Sequence, residues 1–147
     1  MLRFLISGFL IIGCLAGLNC QSYTTGMQQG AGRADETAAV STLGVISRAQ
    51  TAYSISNNGD YGTFEQLAAG GFLDERFNNS EPKFYGYIFS MSVSPRSGSS
   101  DSSYSLNVDP DPAKKVTGRH FYIDSSSSDI HVNASSRAGA RDALLKP

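Results

Sequence analysis

The stretch RHFYIDSSSSDIHVN, Arg119 to Asn133, decides the fold class. Two runs with apolar side chains at every second position flank the serines Ser125 to Ser128, the pattern of two strands joined by a turn. With Asp124 opposite Asp129, Tyr122 faces His131 and His120 faces Asn133. That register sends Phe121, Ile123, Ile130 and Val132 to one face, and His120, Tyr122 and His131 to the other. The apolar face needs a cover, and the remaining chain supplies one.

Upstream, YGYIFSMSV alternates Tyr85, Tyr87, Phe89, Met91 and Val93 with smaller residues, and YSLNV alternates Tyr104, Leu106 and Val108 with Ser105 and Asn107. The Ser-rich piece 95–103 between them is a loop, as is DPDPAKKVTG, whose prolines bar a central strand. Earlier still, Ala39, Leu43, Ile46, Ala49 and Tyr53 recur at helical spacing, a stripe that must be buried. The expected helix covers 34–56, with Asp35 as cap and Glu36 in its first turn. Gly44 within it is a candidate for close approach by another backbone. Asn57 to Gly62 ends the helix. Thr63 and Gln66 form a capping box for a short second helix carrying Phe64, Leu67 and Ala68 inward. The expected architecture is α+β: an N-terminal amphipathic helix plus a short helix on a small antiparallel sheet of three to four strands. The domain spans 33–134, and 135–147 reads as a loose tail.

The other end of the chain has a different character. Behind Met1-Leu2-Arg3, the run from Phe4 to Leu18 is apolar, about 15 residues or roughly 22 Å as a helix. A spanning helix needs ~30 Å, so residues 1–20 read as an export signal. IIGC, Ile11 to Cys14, has the pattern of a bacterial lipoprotein cleavage site, which would put acyl chains on Cys14. Cys20 is the alternative lipidation residue, at a more usual signal length. Ordinary cleavage near Cys14-Leu15-Ala16 and retention as an anchor stay open. QSYTTGMQQGAG, 21–32, reads as a flexible Gly-rich spacer.

Net charge is −1, and of 12 basic and 13 acidic residues only Arg3 falls in the first twenty. The slightly acidic remainder lacks the basic face of a nucleic-acid binder. Both cysteines lie in or beside the apolar segment, so the domain carries no disulfide. His120 and His131, as diagonal neighbours on the outer sheet face, are metal candidates with Asp109 or Asp111 as a third ligand. Zinc takes about four ligands with a fixed outer shell, and an ordinary polar sheet face is the favoured reading. DPDP with Asp101 matches no standard calcium loop, since calcium wants roughly six to eight oxygens. No Gly-x-Ser-x-Gly or other convergent nucleophile and base appears, so the expectation is a non-enzyme with no cofactor.

The order of these pieces resembles the type IV pilin and type II secretion pseudopilin family. RADETAAVSTLGVISRAQTAY is similar to the region where the long pilin helix joins its head. YGTFEQLAAGGFLDERF resembles the helix of the loop that follows, and YGYIFSMSV to DIHVN resembles the sheet. The basic leader with its glutamate-bearing cleavage motif is absent. The resemblance implies a pilin-like head of about 33–134, with no family residue carried over. Three functions follow as expectations. The first is an exported, lipid-anchored bacterial envelope protein whose head serves a structural or interaction role through an exposed sheet edge and the loop 95–103. The second is a minor pilin or pseudopilin of a type IV pilus or type II secretion system. The third is a secreted ligand-binding protein. Expected partners are the membrane, through a lipid anchor or the N-terminal segment, and other envelope, pilus or secretion components; expected locations are the outer membrane, the periplasm or the extracellular side.

Overall fold

The computed structural model describes residues 20–114 and 118–146, with side chains described from residue 32 onward. Residues 1–19 of the expected export signal, Cys14 among them, lie outside the described residues, and Cys20, the alternative lipidation residue, is within the helix described next.

Helix α1 runs from Cys20 to Ser56, 37 residues or about 55 Å. The piece expected as a flexible spacer is helical. Gly26, Gly30 and Gly32 each cost about 1 kcal/mol in a helix, yet a helix already nucleated downstream extends at little cost through the Met, Gln and Ala residues between them. Asp35 and Glu36 therefore sit inside the helix rather than at its start. Of the stripe that the spacing predicts, Ala39, Leu43, Ile46 and Ala49 are buried, and Tyr53 is partly buried against the core. Among the described residues, a side chain at Gly44 would meet only the Arg48 guanidinium, 3.6 Å away, and no backbone of another element.

Helix α2, Phe64–Ala69, carries the expected capping box: Gln66 N–H donates to the Thr63 hydroxyl while Thr63 N–H donates to the Gln66 side chain. A single 3-10 turn, Glu75–Phe77, follows, capped by Asp74.

The sheet has six antiparallel strands in sequence order, correcting the expected three to four. They are β1 Lys83–Phe84, β2 Tyr87–Ser94, β3 Ser103–Pro110, β4 His120–Asp124, β5 Ser127–Asn133 and β6 Ala143–Leu144. The two additions are two-residue edge strands, too short to show alternation. β1 forms because Tyr85 (φ 54°) and Gly86 (φ 72°) both take left-handed backbone angles and reverse the chain between Phe84 and Tyr87. Such a turn matches the twist of a hairpin. Tyr85, expected on the inner face of a strand, is in that turn and exposed. β6 draws the expected loose tail onto the edge of β5.

The β4–β5 hairpin keeps the pairs Tyr122↔His131 and His120↔Asn133 but turns sooner, with Asp124 opposite Ser127. A bulge between Tyr122 and Asp124 absorbs the difference. Because the bulge sits beyond Tyr122, the side chains facing the core are those expected. Phe121 and Ile123 are buried, while Ile130 and Val132 pack against the core from β5. With Tyr87, Phe89, Tyr104, Leu106 and Val108 they meet the stripe of α1. The class remains α+β, a long helix laid across one face of a meander.

Candidate functional site

The four metal candidates are not gathered into one site. His120 Nδ1 lies 2.7 Å from Asp109 Oδ1, and the other Asp109 oxygen faces Arg137 Nε at 3.4 Å. His131 Nδ1 instead donates to the Asp142 carbonyl at 2.8 Å. Asp111 is buried and structural. Its carboxylate accepts from Ala113 N–H, and its own N–H donates to the Gly86 carbonyl in the β1–β2 turn. Among the described residues no group of three or more His, Cys, Asp and Glu side chains is arranged to hold a metal. The Asp109–His120 dyad could orient an imidazole base. Among the described residues, however, no hydroxyl or thiol is bonded to the far ring nitrogen.

These groups have another task. The segment 135–146 lies over the outer sheet face as a strap. Asn107 Nδ2 donates to the buried Ala138 at 2.7 Å, Asn133 Nδ2 to the Asp142 carboxylate at 3.0 Å, and Gly139 N–H to the same carboxylate at 2.8 Å. Both histidines thus serve the seam between sheet and strap.

A separate concavity lies elsewhere, at the C-terminal end of α1. There the loop 57–63, the start of α2 and the end of β2 enclose a cleft of about 540 Å³, with Tyr53, Asn57, Asp60, Tyr61 and Gln66 in its walls. Its shape is built from below by two buried polar residues. Gln50, fully buried on α1, donates from Nε2 to the Gly62 carbonyl at 2.6 Å and accepts from Gly62 N–H at 3.1 Å. Ser102 accepts from Tyr61 N–H at 3.1 Å and donates to the Ser94 carbonyl at 3.2 Å. Only three polar or charged residues are buried among those described, and two of them fix this loop. Burying a polar group is costly unless it is fully bonded, so the loop conformation is held firmly.

Two glycines complete the shape. A side chain at Gly62 would lie 3.0 Å from the Tyr53 ring, and one at Gly59 (φ 90°) would lie 2.8 Å from Arg96 Nη2. Arg96 reaches across from the loop after β2, donating to the Asn58 carbonyl at 2.7 Å and pairing with Asp60 at 3.3 Å. Tyr53 packs edge-on against Phe72, and Tyr61 against Tyr104. The expected contact loop 95–103 borders the cleft through Pro95 and Ser102. The other expected contact surface, a sheet edge, is also present: β1 pairs with β2 only at Tyr87 and Ile88. From Ser90 to Ser94 that side of β2 has no strand neighbour among the described residues.

Sequence reading passed over this cleft because none of its residues carries reactive chemistry. The available signal was NNGDYG followed by a capping box, read only as a helix stop. No protein-family model, curated protein or solved structure matches this chain.

Proposed function

We propose that this chain is an exported envelope protein, held at a bilayer by its N-terminal segment, whose helix-and-meander head is a non-catalytic structural or interaction module. The observation that supports it is the reach of α1. Helix α1 includes Cys20, next to the apolar segment, and among the side chains described from residue 32 onward its buried stripe starts at Ala39. Nineteen residue steps of helix, about 28 Å, separate the two, so the head would stand off from the membrane on a stalk. The anchor on this reading is a lipid on Cys14 or Cys20.

A second reading, a minor pilin or pseudopilin, gains from the same helix. The resemblance to pilins is weakened by a flexible spacer, and α1 is continuous where that spacer was expected.

Intact-mass analysis of the membrane fraction tests both. A mature protein starting at an acylated Cys14 or Cys20 is the expected result. An N-methylated terminus without lipid, from protein recovered in fibres, would replace the first reading with the second. Full-length unprocessed chain in the soluble cytosol would overturn both.

A further inference from the structure

We infer that the cleft at the end of α1 binds a neutral pyranose sugar. A pyranose offers hydroxyl groups that both donate and accept, plus an apolar face of ring C–H groups. A site for it needs aromatic surface beside planar side chains carrying unspent donors and acceptors. This cleft supplies each. Tyr53 and Tyr61 are the aromatic walls. Arg96 Nε engages one oxygen of Asp60, leaving the other to accept. Asn57 donates from Nδ2 to the Tyr53 carbonyl, leaving Oδ1. Gln66 accepts at Oε1 from Thr63 N–H, leaving its Nε2 protons to donate.

Charge narrows the ligand class. Asp60 is answered by Arg96, so the cleft has neither the basic surplus an anion requires nor the cluster of carboxylates a metal requires. Its volume falls in the range of about 300–1,000 Å³ usual for small-ligand sites, room for one or two sugar rings. The walls are preformed, since Gln50 and Ser102 clamp the loop from the core, and binding would spend little on ordering it.

The binding chemistry is independent of how the chain is anchored, so its failure and a failure of the membrane reading are separate results. The test is saturation-transfer NMR on the full chain in a detergent without sugar headgroups. The probes are methyl β-glucopyranoside, methyl β-galactopyranoside, N-acetylglucosamine and its β-1,4-linked tetramer. Transfer to ring C–H protons of at least one probe is expected, with affinity weakened about fivefold by Asp60→Ala or Asn57→Ala, the size of one lost hydrogen bond. Far-UV circular dichroism unchanged in at least one of the two variants keeps the comparison valid. Tighter binding of the tetramer than of the monosaccharide identifies a polymeric glycan as the source, and equal binding identifies free sugar. No transfer from any probe overturns the inference. So does transfer undiminished in both variants, or displacement of the sugar by a neutral Ser-Asn peptide.

Discussion

Tyr87 carries an anomaly of a single atom. Its ring is fully buried between β2 and α1, and among the described residues its hydroxyl has no hydrogen-bond partner. Burial, assisted by the charges of Glu36 and Asp35 and opposed by Arg119, pushes its pKa up to about 12. A raised pKa means stability is fully present below pH ~10, where the unfolded tyrosine also keeps its proton, and is lost as pH climbs toward 12. The loss amounts to about 2–3 kcal/mol. Denaturant titrations from pH 9 to 12 should show that decline and should show most of it removed in Tyr87→Phe. At neutral pH Tyr87→Phe should be neutral or stabilising by up to ~1 kcal/mol, since it deletes a buried hydroxyl without orphaning another group. Gly118 is the necessary neighbour, because a Cβ there would collide with the Tyr87 hydroxyl oxygen. Gly118→Ala should cost about 2 kcal/mol, and combining it with Tyr87→Phe should recover part of that, a coupling readable in a double-mutant cycle. Gln50 is the opposite case, a buried polar group with every bond made. Gln50→Ala would strand both backbone groups of Gly62 and should cost about 3 kcal/mol by chemical denaturation.

Among the elements, α1 was half legible. Ala39, Leu43, Ile46 and Ala49 announce themselves by spacing because burial demands it. The preceding turns carry no such stripe, and three glycines among polar residues read as a spacer. Gly44 was over-read: a glycine signals freedom without saying whether anything uses it. Here nothing among the described residues does, and Gly44→Ala should raise stability by about 1 kcal/mol in urea titrations. The strands were legible wherever one face is apolar, which recovered the inward set of β2 to β5. β1 and β6 were hidden because two-residue edges have no period, and the bulge after Tyr122 was hidden because Ser125 to Ser128 offer equivalent places to turn. The bulged hairpin has its own signature in acid. Burial of Asp124 opposes its ionisation, but the hydroxyl and amide of Ser126, the Tyr122 hydroxyl and the Ser127 amide outweigh that and hold its carboxyl below the ordinary value. A lowered pKa stabilises above the unfolded carboxylate's pKa, near 4, and that contribution fades as pH falls below it. Asp124→Asn should flatten the acid limb of a thermal-stability profile between about pH 4 and 2.

At the scale of the molecule, the strap holds the outer sheet face. The strap joins the outer sheet face through Asn107, His131, Asn133 and Asp142, and β6 extends the sheet. Truncation after Ala134 should lower the melting temperature by roughly 4–8 °C, the equivalent of about 1 kcal/mol in a domain of this size, and should leave the α1 stripe protected in hydrogen exchange. Arg119 ties the two layers at their rim, its fork set on Glu36 of α1 at 2.6 and 3.1 Å. Being partly exposed, that pair stabilises by at most about 1 kcal/mol. The plain succession β1 to β6, each strand bonded to the one before it in sequence, bears on how quickly the head is made. Pairing partners are always close along the chain, so the search for them is short, and recovery from denaturant should take roughly milliseconds. A polypeptide emerging N-terminus first would find each new strand's template already laid down.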